Sequence, residues 1–233
     1  ADQPTLLTAP LHSRDSALMI DALTSLGAQI DVLENGDLKV TPGPITGGAK
    51  IDCGLAGTVM RFVPPMATLA NGDVFFDGDA AARRRPMHTT VDSLRALGVQ
   101  VEDAGTGSLP FTVEGTGKVR GGQVSIDASA SSQFVSGLLL SAARFEQGLT
   151  LTHSGEHLPS LPHIEMTLDT LSKRGVKVSN PQPTVWRVEP GPIGGGTVAI
   201  EPDLSNAGPF LAAAMVAGGS VTIPGWPDTT TQV

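Results

Sequence analysis

The sequence predicts an α/β domain of repeated strand–helix–strand–helix–strand–strand units, with one set of helices inside and the sheets outside. Three observations carry this. The segments MIDALTSLGAQIDV, TVDSLRALGVQVED and TLDTLSKRGVKVSN resemble one another. A second set interleaves with them: KIDCGLAGTVMRFVPPMATLANGDVFFDG, SIDASASSQFVSGLLLSAARFEQGLTLTHSG and AIEPDLSNAGPFLAAAMVAGGSVTIPG. The helices of this second set, as in LLLSAA and FLAAAMVA, are apolar on nearly all sides, which is the pattern of a helix buried all round.

Each segment of the first set reads as an amphipathic helix of about three turns, a glycine stop and a strand. Leu23, Leu94 and Leu171 take equivalent places, with Ile20, Val91 and Leu168 three residues earlier on the same helix face. Gly27, Gly98 and Gly175 fall where the residue after a helix end needs a left-handed backbone. A further strand follows each time, in LKVTPG, FTVEG and WRVEPG. The second set reads strand, polar turn, apolar helix, glycine, strand. Its strand-end markers, Ile51, Ile126 and Ile200, recur 75 and then 74 residues apart, a period longer than that of solenoid repeats. Pro64 and Pro65 are expected to kink the first apolar helix or to mark its first turn.

These periods predict complete units over 49–122 and 123–194 and a truncated first unit over 1–48, lacking its leading strand and helix. Residues 1–200 are read as one domain, and 197–233 as the incomplete start of another domain's first unit. The chain is therefore expected to be a piece of something longer. The buried-type helix at Pro209–Ala217 either belongs to that other domain, as the pattern of the last unit implies, or fills the place of the first unit's missing helix, against Leu23 and Leu94.

Composition excludes several classes. The formal charge of −8 over 233 residues argues against a general nucleic-acid binder, which needs a basic face. No apolar run reaches the length of a membrane span, and ADQPTLLTAP lacks the basic and apolar regions of a secretory signal. The lone Cys53 rules out an internal disulfide framework, and five scattered histidines offer no metal-ligand cluster. A cytoplasmic, metal-free protein is expected.

The polar turns CGLAGT, ASASSQ and PDLSNAG each precede a buried-type helix. Backbone N–H groups and the helix dipole favour an anion there, but serine, threonine and aspartate also cap helices everywhere. Arg83–Met87, RRRPM, is the one dense basic cluster and stands before a helix, where cations are unfavourable unless an anion intervenes. The alternative is a solvated loop paired with Asp77 or Asp79. Ser160, in PSLPH, either caps its helix or donates to a ligand, and His163 is either a surface or a site residue. Arg61, inside an apolar helix, is expected to pair with a carboxylate such as Asp52 or to reach a ligand. Cys53 reads as a small buried residue rather than a nucleophile.

CGLAGTVMRF, RRRPM, ASASSQF and PSLPHI, in this order and spacing, resemble the 5-enolpyruvylshikimate-3-phosphate synthases, in an actinobacterial form. The resemblance implies the enolpyruvyl transferase fold, an inside-out α/β barrel of buried parallel helices surrounded by sheets. It implies transfer of the enolpyruvyl group of phosphoenolpyruvate to the 5-hydroxyl of shikimate 3-phosphate, with phosphate released and no cofactor required. It further implies that Ser131, Ser132, Gln133, Ser160 and His163 contact shikimate 3-phosphate, and that Gly57, Thr58, Arg85 and Gln133 contact phosphoenolpyruvate. His163 stands where many members carry tyrosine, and Leu55 where an asparagine is common. The acid–base groups of the family belong to a second domain, the implied partner of this one, so the chain alone is expected to bind shikimate 3-phosphate weakly and to turn nothing over. Other readings are the sibling transferase acting on UDP-N-acetylglucosamine, against which SSQF and PSLPH speak, and a non-catalytic scaffold whose repeats only pack.

Overall fold

A computed structural model describes residues 1–228, 230 and 232. The chain runs β1 (Thr5–Thr8), α1 (Arg14–Ser25), β2 (Gln29–Val32), β3 (Leu38–Thr41), β4 (Lys50–Asp52), α2 (Gly57–Ala67), β5 (Asn71–Asp77), α3 (His88–Ala96), β6 (Val101–Glu102), β7 (Phe111–Thr116), β8 (Gly122–Ile126), α4 (Gln133–Ala142), β9 (Leu149–His153), α5 (Leu161–Lys173), β10 (Val178–Gln182), β11 (Val185–Val188), β12 (Gly196–Ala199) and α6 (Leu204–Ala217).

The strands form three four-stranded sheets with one shared plan: β12-β1-β3-β2, β4-β5-β7-β6 and β8-β9-β11-β10. In each, the first two strands are parallel and the other pairs antiparallel. The leading strand of the first sheet comes from the far end of the described chain. Thr5 to Thr8 pair with Gly196 to Ala199 in register. The first unit, expected to lack a leading strand of its own, thus receives one from β12.

The core lies between the sheets around α2 and α4. All of α4 except Gln133 and Leu140 is buried. The amphipathic helices α1, α3 and α5 bury one face, with Leu94 and Leu171 inside. Gly27, Gly98 and Gly175 have φ of 107°, 85° and 79°, the left-handed turn that a side chain resists. Cys53 is fully buried, and burial pushes its thiol pKa up to about 12, so it stays protonated.

α2 and α4 run parallel and in register. Pro64 and Pro65 sit buried inside α2 rather than in its first turn, and their missing N–H groups leave the carbonyls of Met60 and Arg61 without helical donors. α4 presents Gly137 to this spot. A Cβ there would lie 2.2 Å from the Arg61 carbonyl oxygen, so glycine is what lets the two backbones meet.

Of the two readings for residues 209–217, the one that fills the missing helix's place is overturned. α6 has no buried residue, and Phe210, Met215 and Val216 are 65, 88 and 89% exposed. It is capped at its own start by Asp203, which accepts from the Asn206 N–H at 2.9 Å. It does not stand in for a core helix against Leu23 and Leu94; only the strand before it joins the domain. Beside the first sheet a cavity of about 580 Å³ instead opens among Leu23, Leu26, Met66, Leu69 and Leu140.

Asp103 anchors the loop beneath the start of α3. Its side chain is 4% exposed, and it accepts from Arg95 at 2.8 Å and from the N–H groups of Gly105 at 3.0 Å and Gly107 at 2.8 Å. The Gly107 carbonyl then accepts from the Met87 N–H at 2.8 Å, tying this loop to RRRPM. Burial pushes the Asp103 pKa up, but Arg95 and the two N–H groups outweigh it and hold the carboxyl below its usual range.

Two outcomes follow. Gly137→Ala sets a helix-propensity gain of about 1 kcal/mol against a backbone clash, and the clash wins: the variant is destabilised by about 1–3 kcal/mol. Urea unfolding measures this, and an unchanged or raised midpoint contradicts the close approach. Asp103→Asn lowers the melting temperature at neutral pH. The folded pKa lies below the unfolded one, so the stability the carboxylate confers is present above the unfolded value and is lost as pH falls through the folded value. The gap between parent and variant therefore closes below about pH 4, as melting curves across pH would record.

Candidate functional site

The parallel pairing of α2 and α4 brings their first turns to one end of the barrel. Gly57 opens α2 and Gln133 opens α4, and neither helix has a side-chain cap. The first N–H groups of a helix lack partners within it and carry the positive end of its dipole. At α4 the preceding turn takes them up, the Gln133 N–H donating to Ser131 Oγ and those of Phe134 and Val135 to the carbonyls of Ser131 and Ser132, while the start of α2 stays donor-rich. The third polar turn does not join them, since α6 is capped by Asp203 and has no buried residue.

Gly57 is the meeting point. A Cβ on it would stand 2.9 Å from Arg85 Nη2, 3.2 Å from Arg61 Nη1 and 3.2 Å from Gln133 Oε1. Arg61 Nη1 donates to Gln133 Oε1 at 2.6 Å. Arg85 Nη1 donates to the Leu55 carbonyl at 2.9 Å, which holds the guanidinium over the start of α2. Thr58, half-exposed, is the second residue of that helix. Leu55 thus serves through its backbone, while its side chain is 43% exposed.

The basic cluster divides by role. Arg83 makes a two-pronged pair with Asp77 at 2.8 and 2.7 Å, and Arg84 donates to the Ala80 carbonyl. Asp79 pairs instead with Arg14 at 2.9 Å. Among the described residues, Arg85 has no carboxylate partner. The solvated-loop reading holds for Arg83; Arg85 turns to the two helix starts.

Arg61 does not pair with Asp52, which accepts from the Gly54 N–H at 2.8 Å. Among the described residues it has no carboxylate partner, and its guanidinium lies over the Phe134 ring at 4.9 Å from the centroid. Burial, and then the neighbouring Arg85, push its pKa down to about 10, so it remains a cation at neutral pH.

In the ASASSQ turn, Ser131 Oγ accepts from the Gln133 N–H at 3.3 Å and Ser132 is buried. The turn rests on His153, a residue that the sequence reading passed over. His153 is 5% exposed, and its Nδ1 accepts from the Ala128 N–H at 3.1 Å, while Nε2 is buried without a partner. That acceptor role requires the proton on Nε2. Gly155 seals the turn from below: a Cβ there would meet Ser129 Oγ at 2.2 Å, Asp127 Oδ1 at 2.3 Å and His153 Cε1 at 2.7 Å. The signal for His153 was present, since Leu149, Leu151 and His153 alternate along β9 towards the core.

Ser160 precedes α5, which packs on α4 through Thr167 Oγ1 donating to Ser136 Oγ at 2.8 Å. Ser160 does not cap α5. It adopts φ 51° and ψ 53°, a left-handed conformation unusual for a residue with a side chain, and it is exposed. His163 is exposed and lines a groove with Leu11, Met166, Lys173 and Glu201. The structure therefore brings Gly57, Thr58, Arg61, Arg85 and Gln133 into one cluster, with Ser131 and Ser132 continuous with it, and sets Ser160 and His163 at the start of the neighbouring helix.

Comparison with known proteins bears on the fold and the family. The chain is similar to two solved structures of EPSP synthase from Acinetobacter baumannii, each with a TM-score of 0.76 over 92% of this chain and 48% of the other, at 24% identity, which speaks for the fold. It is 55% identical, over its whole length and 54% of the relative's, to a 3-phosphoshikimate 1-carboxyvinyltransferase from Kocuria rhizophila. The chain thus spans about half the length of this curated relative. A family model described as EPSP synthase (3-phosphoshikimate 1-carboxyvinyltransferase) matches residues 1–233, and the chain belongs to that family.

Proposed function

We propose that this chain carries the shikimate 3-phosphate half-site, and part of the phosphoenolpyruvate site, of an enzyme that moves the enolpyruvyl group onto the 5-hydroxyl of shikimate 3-phosphate with loss of phosphate. The observation that carries this is the convergence of Arg61, Arg85 and Gln133 on Gly57, at the uncapped start of α2 and with no carboxylate among the described residues to neutralise the arginines. Both substrates are anions, and donor-only groups around a helix start are the receptor that phosphate and carboxylate require. Ser131, Ser132 and Gln133 would hold shikimate 3-phosphate, with Ser160 and His163 reaching it from α5. Gly57, Thr58 and Arg85 would hold phosphoenolpyruvate, with Gln133 facing both.

This set binds and orients but moves no proton. Enolpyruvyl transfer passes through a tetrahedral intermediate and needs general acid and base groups. We assign those to a part of the enzyme outside residues 1–233, corresponding to the other half of the relative's length. The exposed apolar side chains of α6 suit the same reading, as a surface that a second domain would cover. Positioned charge from Arg85 would then act on the bound anions as the two halves close.

Titration of the chain with shikimate 3-phosphate, followed by amide NMR, is expected to shift Ser131, Ser132, Gln133 and Ser160. The absence of shifts there would refute the half-site. With both substrates present, the chain alone is expected to release no phosphate above the blank; release would place the acid–base groups within it. In the full-length enzyme, Arg85→Ala removes a charge-assisted contact and should raise the phosphoenolpyruvate KM roughly 10- to 100-fold. Unchanged kinetics for both Arg85→Ala and Ser131→Ala would instead favour a scaffold.

A further inference from the structure

Arg61 is costly where it stands. It is 9% exposed in the packed seam between α2 and α4, its Nε is buried without a partner, and Arg85 is a like charge nearby. Among the described residues no carboxylate answers it. A buried cation without a counter-charge opposes folding, and a well-packed apolar side chain of similar size is often more stable in such a place. Packing alone therefore does not account for arginine here.

Its contacts point to a different task. Nη1 lies 2.6 Å from the side-chain oxygen of Gln133. A guanidinium only donates, so the amide atom facing it has to be the oxygen. That leaves the Gln133 NH₂ group, with two donors and no acceptor, directed away from Arg61. The Phe134 ring, 4.9 Å from the guanidinium carbon, fixes the plane of the arginine, and the missing side chain of Gly57 leaves the space into which the groups converge.

We infer that Arg61 is a positioning residue which holds the Gln133 oxygen on its own side, beside Gly57, and so leaves the NH₂ donors on the opposite side for shikimate 3-phosphate. The inference rests on the anion-site reading above and deepens it. Without Arg61 the amide is free to turn over, and half of its orientations would set a carbonyl oxygen against a negatively charged ligand. The effect passes through residue 133, so it should vanish when that residue carries no amide.

The test is a double-mutant cycle in the full-length protein, reading the Kd for shikimate 3-phosphate and the melting temperature. Arg61→Met is expected to weaken binding about tenfold, the scale of one misplaced polar contact, while the melting temperature stays level or rises. In a Gln133→Ala background the same change should cost less than about twofold. A loss equally large in that background would mean that Arg61 acts directly on the ligand or on the fold, and would overturn the inference. Gln133→Glu supplies a second variant should Arg61→Met not fold. It gives Arg61 a carboxylate partner but removes the donors, so melting should rise while binding is lost; unaltered affinity would also overturn the inference. Parent protein that binds while Arg61→Met binds equally refutes only this role. Parent protein that fails to bind refutes the anion site itself and this role with it.

Discussion

The contact on which the rest of the molecule depends is the backbone approach of α4 to α2, where Gly137 meets the Arg61 carbonyl. Pro65 in α2 frees that carbonyl from helical hydrogen bonding, and a glycine in α4 removes the side chain that would hold the helices apart. One turn nearer the helix starts, the same alignment sets Gln133 beside Gly57. The core contact and the polar cluster at Gly57 are two levels of one helix pair, separated by a single turn on each helix.

Around that pair, the outer layer repeats. Each sheet opens with a parallel pair and continues with antiparallel strands, and each amphipathic helix ends in a left-handed glycine. Repetition makes the outside regular and leaves the site as the place where the units differ. Equivalent helix starts carry Gly57 in one unit and Gln133 in the next, and the loops between carry arginine in one and serine in the other. On the proposed reading, a receptor for two unlike anions would be assembled from copies of one element that have diverged at their polar ends.

Much of this was legible in the sequence because period and glycine placement are local properties. Leu94 and Leu171, the three helix-ending glycines and the nearly all-apolar LLLSAA reported the layers directly, and four motifs in register reported the family. What was not legible required knowing which residues meet. Nothing local separates Arg83, which pairs with Asp77, from Arg85, which has no carboxylate partner. Arg61 was expected beside Asp52, but the distance that matters runs to Gln133, 72 positions away. The apolar run of α6 read as a core helix because hydrophobicity says that a face wants cover without saying what covers it. Ser160 left capping and binding open, and its left-handed backbone with no capping bond removed capping.

The pairing of β1 with β12 ties together residues about 190 positions apart. A contact so distant in sequence carries a heavy loop-closure cost and forms late. On the ribosome, β1 emerges well ahead of β12, and the edge that β12 covers must wait for the intervening residues to be made before its partner arrives. The second and third sheets draw all four strands from a continuous stretch and can close as they emerge. The order of synthesis thus leaves the first sheet with an open parallel edge, the kind of edge through which nascent chains pair with the wrong strand. The seam that completes the barrel is also the one the growing chain must leave exposed longest.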